Sequence, residues 1–186
     1  MKGLFQHINN YQLMFKAIVS GIYFVVFSFV LTTQMSQSQT NQNININIPV
    51  MNFAQFEPLL HKQNDTVYLI NFWATWCAPC REEMPAIQKV GEKYSNQKFK
   101  IIFVSLDFPN QIESRLIPFI HEHDLKSQVI VLDDPNQNSW IDKVDPSWSG
   151  GIPFSLIYGK NFREPYSHSF HFQQLDSIIN LNLKKL

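Results

Sequence analysis

Cys77 and Cys80 are the only cysteines in a chain of 186 residues, and only two residues separate them, in the stretch Asn71–Pro85, "NFWATWCAPCREEMP". A pair this close can cycle between dithiol and disulfide, close a structural bridge, or share a metal. A bridge around so short a loop removes little loop-closure entropy, which argues against a purely structural role. Two thiolates are half of a tetrahedral zinc set. His121 and His123 are no help as further ligands, because they stand at i,i+2 and do not share a helix face. Two cysteines are also too few for a disulfide-stapled scaffold. Redox chemistry fits the spacing best.

The elements around the pair assign it two different roles. "VYLINFW" (Val67–Trp73) is apolar enough for a buried strand, and helical spacing runs from about Cys77 to Tyr94. Cys77 therefore opens a helix, where unpaired N–H groups and the positive dipole end favour a thiolate and lower its pKa. It is expected to be the exposed nucleophile. Cys80 lies nearly one turn on, spaced with Met84, Ile87 and Tyr94 toward the core, and suits a sheltered resolving thiol. Pro79 stiffens the first turn without removing a needed N–H. The Ala78-Pro79 dipeptide carries no histidine to stabilise the thiolate, which points to a reductant rather than a strong oxidant. Pro85 should kink the helix. Trp73 reads as core, and Trp76 as a cover for Cys77 that helps bind substrate.

Glu83 is three residues after Cys80, on nearly the same helix face, so it can sit beneath that thiol. It can equally be a surface carboxylate favoured by the helix start. Glu82 and Arg81 point away from that face and should be solvated.

The remaining pattern alternates strands and helices. "FAQFEPLLHK" is a short amphipathic helix. "FKIIFVSL" (Phe99–Leu106) and "QVIVL" (Gln128–Leu132) are strands, with a helix over Gln111–His123 between them. "PFSLIYG" and the stretch Phe162–Ser169 form a closing hairpin, and a last helix carries Leu175, Ile178 and Ile179. This is an α/β domain with a mixed, mostly parallel central sheet flanked by helices. Hydrophobic residues make up 45% of the chain, ample for one core, and 15 basic residues balance 15 acidic ones. No basic cluster suggests nucleic acid.

Residues 1–38 stand apart from that domain. Lys2, His7 and Lys16 precede the apolar run Ala17–Leu31, shorter than the roughly 20 residues of a membrane span. It reads as a signal peptide with cleavage near Ser36 or Ser38, or as an uncleaved anchor; either exports the downstream domain. Residues 39–48 belong to a Gln/Asn/Ser-rich linker whose Asn/Ile end can pair as an edge strand. The folded domain is expected at 49–186.

The string "NFWATWCAPCREEMP" resembles the active-site stretch of thioredoxin-fold proteins, above all the exported, membrane-associated thiol–disulfide oxidoreductases of the TlpA/ResA type. "WSGGIPFSLIYG" agrees, since Gly151-Ile152-Pro153 resembles the family's cis-proline loop opposite the cysteines. The resemblance implies a cis Pro153 and an Ile152 backbone that hydrogen-bonds a bound peptide. Glu83 matches a glutamate that ResA-like proteins use near the site, whereas Asn71 stands where cytosolic thioredoxins carry a buried Asp. It further implies a periplasmic or other extracytoplasmic protein-disulfide reductase with no cofactor beyond the Cys77–Cys80 disulfide. Its substrates would be exported proteins with disulfides, apocytochrome c among them, and a membrane thiol carrier would be its electron donor. Two other classes stay open: a thiol peroxidase, and a metal or haem chaperone using the thiols as ligands.

Overall fold

A computed structural model describes residues 47–186. The apolar run Ala17–Leu31, the cleavage region and most of the polar linker lie outside the described residues. Among the described residues no helix is long and apolar enough to cross a membrane.

Among the described residues, six strands form one sheet in the order β1-β4-β3-β2-β5-β6: β1 (Val50–Met51), β2 (Val67–Trp73), β3 (Phe99–Ser105), β4 (Gln128–Leu132), β5 (Phe154–Gly159) and β6 (Phe162–Tyr166). The β1–β4, β4–β3 and β3–β2 pairs are parallel, and β5 runs antiparallel to β2 and β6. The sheet is thus mixed and mostly parallel, as expected. The anticipated edge pairing falls on Val50–Met51, just beyond the Asn/Ile repeat, while Ile48 already packs into the core.

Alternation along β2 divides the core. Tyr68, Ile70 and Phe72 face Phe53, Phe56 and Leu60 from α1 (Phe53–Phe56) and the 3-10 turn that continues it, together with Trp140, Trp148 and Phe154. Val67, Leu69 and Trp73 face the other way, toward α2 (Ala78–Lys93), α3 (Ile117–Glu122) and α5 (Phe172–Leu183). A short helix, α4 (Ile141–Val144), completes the first layer. Asn71 shares the odd-numbered face, so strand periodicity alone aims its amide at α2. The α2 stripe of Cys80, Glu83, Met84, Ile87 and Val90 is buried against that face. Met84, Ile87 and Val90 each contribute about 1.5–3 kcal/mol by leaving water.

Two expected helices differ in detail, the first because of a proline. "FAQFEPLLHK" passes from α-helix to a 3-10 turn at Glu57–Leu60, since Pro58 has no N–H to continue the ladder. The Gln111–His123 segment is a 3-10 turn, a π turn over Ile112–Leu116, and only then α3, with Pro118 in its first turn. Its Leu116, Phe119 and Ile120 still meet the core.

Candidate active site

β2 ends at Trp73, a three-residue turn follows, and Cys77 caps α2 in extended conformation. Its N–H donates to Ala74 O at 3.1 Å, and its Sγ accepts the Cys80 N–H at 3.3 Å. The sulfur thus takes the place of the oxygen that usually caps a helix, which suits a thiolate. Ala78 and Pro79 form the first turn. Cys77 and Cys80 are joined as a disulfide, with Cα atoms 5.3 Å apart.

Cys80 is 0% exposed and Cys77 6%, so the order of access is as expected. The nucleophile is nonetheless nearly covered rather than openly exposed. The reason lies in the facing loop: Ile152 O sits 3.8 Å from Cys77 Sγ, a contact and not a hydrogen bond, since a disulfide sulfur carries no proton. The Ile152–Pro153 bond is cis, and Gly150 enters that loop at φ 87°, where a side chain would be strained. Both Ile152 and Pro153 are half-buried.

Beneath Cys80 lies a buried polar group. Glu83 is 2% exposed, which removes the surface reading of this residue. Its Oε1 accepts from Asn71 Nδ2 at 2.8 Å, and its Oε2 accepts from Phe170 N–H at 2.9 Å. Asn71 Nδ2 also donates to Ser155 Oγ at 2.9 Å, linking β2, β5 and α2. Burial pushes the Glu83 carboxyl up from its ordinary value; the Phe170 and Asn71 bonds and the nearby His168 offset part of that rise. Glu82 and Arg81 are exposed, as their helix positions require.

A second buried acid was missed from the sequence. Asp107, 2% exposed, follows β3. It accepts from Thr75 N–H at 3.0 Å, Thr75 Oγ1 at 2.6 Å and Ser105 Oγ at 2.8 Å, and so ties the end of β3 to the turn before Cys77. The available signal was an acid directly after a buried strand, on the same sheet end as the cysteines.

Trp73 is fully buried and Trp76 is 53% exposed beside the disulfide; Phe108, after Asp107, is 65% exposed. His168 and His171 lie on the surface. The segment before α5 comes back against the site, with Ser169 Oγ donating to Pro79 O at 3.4 Å and Phe170 bonding Glu83. Among the described residues, no three His, Cys, Asp or Glu side chains are grouped to hold a metal ion.

Comparison with known proteins agrees with this arrangement. The thioredoxin-like protein YneN of Bacillus subtilis is 36% identical over 63 residues, which is 34% of this chain and 36% of that protein. The thiol–disulfide oxidoreductase ResA of Oceanobacillus iheyensis is 42% identical over 57 residues, 31% of this chain and 28% of its own. The matched stretches therefore span about a third of these relatives. A thiol:disulfide interchange protein of the thioredoxin family from Chlorobium tepidum superposes with a TM-score of 0.56 at 19% identity, over 68% of this chain and 84% of its own. The fold is thioredoxin-like, and the ResA-type resemblance of the cysteine motif holds. Residues 41–141, more than half the chain and including both cysteines, Glu83 and Asp107, match the AhpC/TSA family profile, and the chain belongs to the AhpC/TSA family.

Proposed function

We propose that the chain is an extracytoplasmic thiol–disulfide oxidoreductase that reduces disulfides in exported proteins. One observation carries this reading: a helix-capping sulfur with narrow access is bonded to a fully buried one, with a buried carboxyl one turn below.

In the reduced protein, the Cys77 thiolate attacks one sulfur of a substrate disulfide. A Cys77–substrate bond forms, the substrate S–S bond breaks, and the first substrate thiolate leaves and takes a proton from water. Cys80 then loses its proton to Glu83 and attacks Cys77 Sγ. The mixed disulfide breaks, the second substrate sulfur leaves as a thiolate and takes the proton held by Glu83, and the protein holds the Cys77–Cys80 disulfide. Two electrons have moved to substrate, and an external dithiol must restore them; a membrane thiol carrier suits an exported protein. Trp76 and the Ile152–Pro153 backbone border Cys77 and would hold the substrate chain. Ala78 and Pro79, which carry no charge, leave the thiolate no extra stabilisation and so favour the reducing direction. Apocytochrome c is one substrate of the required kind.

The pair's reduction potential and its turnover test this together. The reduced full chain should consume a cystine-containing protein disulfide stoichiometrically, with a potential well below that of the compartment's oxidants. A potential in the range of strong oxidants would reverse the direction. Peroxide consumption without any reaction toward protein disulfides would replace this reading with a peroxidase.

A further inference from the structure

We infer that Asp107 is a positioning residue whose buried carboxylate holds the Thr75–Cys77 turn and disfavours the Cys77 thiolate, making the pair a stronger reductant. The inference rests on the reading of Cys77 as the attacking thiol.

Asp107 is an unfavourable residue to bury here. A carboxylate removed from water must be paired or fully hydrogen-bonded. None of the four ion pairs among the described residues includes it. It is instead solvated by neutral donors: the Thr75 N–H, the Thr75 hydroxyl and the Ser105 hydroxyl. Ser105 Oγ in turn accepts the Asp107 N–H at 3.0 Å. In all of its side-chain contacts Asp107 acts as acceptor, as a carboxylate does.

Position makes this more than a loop staple. Trp73 and Ser105 are the last register pair of β2 and β3, so both chains leave the sheet side by side. Thr75 binds Asp107 and is two residues before Cys77, a span of at most about 7 Å of chain. The Asp107 carboxylate, 3.0 Å from Thr75 N, is therefore held against the turn that leads into Cys77, and a buried unit charge there, in a medium less polarisable than water, opposes a second negative charge. A helix start stabilises the thiolate, and Asp107 works against it. The less stable the thiolate, the more readily the pair gives up its electrons.

The other groups around Cys77 are accounted for. Along α2 stand Arg81 and Glu82, both exposed, and the buried Glu83. His168 acts on Glu83 from the segment before α5. The cis-proline loop presents the uncharged Ile152 carbonyl. Asp107 is the charged group that meets the Cys77 turn from the end of β3.

Two roles for Asp107 predict opposite signs. Were it only a staple, its loss would loosen the helix cap and leave the Cys77 pKa unchanged or higher. As a buried charge, its loss lowers that pKa. The test is the pH dependence of iodoacetamide alkylation of the reduced full chain, read at Cys77 by mass spectrometry, with a glutathione redox titration alongside. Asp107→Asn should raise the Cys77 acid dissociation constant by about three- to tenfold and shift the titration toward the dithiol. Thr75→Val keeps the charge and should show no such rise. Asp107→Ser repeats the charge removal should the asparagine variant fail to fold. An unchanged or higher Cys77 pKa in the folded charge-removal variant overturns the inference, as does an equal fall in Thr75→Val. Labelling at Cys80 instead of Cys77 would sink the underlying role assignment, a distinguishable result.

Discussion

Asn71 Nδ2 lies 2.8 Å from Glu83 Oε1, twelve residues away in sequence and across the interface of β2 with α2. The strand's odd-numbered face and the helix's inward stripe meet there, so a polar pair occupies positions that packing alone would fill with apolar side chains. Burying the acid raises its pKa, and two donors, Asn71 and Phe170, offset part of the penalty. An arrangement that costs stability and lies one turn below a reactive cysteine is where a proton acceptor is expected.

That relationship makes Glu83→Gln the sharpest single change. Resolution of the mixed disulfide needs Cys80 to lose a proton, and a glutamine amide cannot take it. The variant should reduce disulfides more slowly, by about a hundredfold or more, with a displaced pH–rate profile. Glu82→Gln, on the solvated side, should match the wild type. Superimposable curves for Glu83→Gln would leave the carboxyl without a role in proton transfer.

Asn71→Asp tests the partner. Two carboxyl groups at this separation cannot both ionise cheaply, so they should share a proton and titrate as a pair. At pH 8 the variant should be less stable than wild type by about 1–3 kcal/mol. The deficit should shrink toward pH 5, because the folded pair holds a proton that the unfolded chain releases. Denaturant midpoints at the two pH values check both statements.

The unequal exposure of the cysteines gives a third expectation. Iodoacetamide at neutral pH should label Cys77 of the reduced protein well before Cys80. Cys80→Ser should accumulate mixed disulfides with substrate through Cys77, and Cys77→Ser should not. Equal labelling rates would undo the distinction.

A fourth concerns the chain before the described residues. A reporter fused after Leu186 should be active only outside the cytoplasm, given the apolar run Ala17–Leu31. Mass spectrometry of the mature N-terminus then separates cleavage near Ser38 from a retained anchor. Reporter activity confined to the cytoplasm would contradict export.

Much of this site was legible because its residues are local in sequence. Cys77, Cys80 and Glu83 share one helix, so 3.6-residue spacing places Glu83 under Cys80 without a fold. Strand limits at Val67–Trp73 and Gln128–Leu132 follow from near-continuous apolar runs. What could not be read is what depends on distant chain. Phe170 reaches Glu83 over 87 residues, and Asp107 reaches Thr75 over 32. The near-covering of Cys77 comes from Ile152, 75 residues on. No periodicity reports such meetings. The break at Pro58 was legible in principle, since Pro58 lacks the N–H that continuing the α-helix needs.

The pH dependence of stability offers a last test of Glu83, independent of turnover. Its folded pKa is raised above the ordinary 4.5, with desolvation as the largest cause. A raised carboxyl binds its proton more tightly in the folded than in the unfolded chain. Its contribution to stability is therefore fully present below pH 4.5 and is lost as pH rises through the folded pKa. Glu83→Gln abolishes that dependence. Glutamine can still accept the Phe170 N–H, and Asn71 Oδ1, which has no hydrogen-bond partner among the described residues, can turn to accept from the new amide. The variant should therefore gain on the wild type with rising pH: the difference in melting temperature should widen from pH 4.5 upward and level off once the folded Glu83 has ionised. A difference that stays flat from about pH 4 to 8 would mean that burial imposes no penalty on this carboxylate, and the donors around it would then fully replace water.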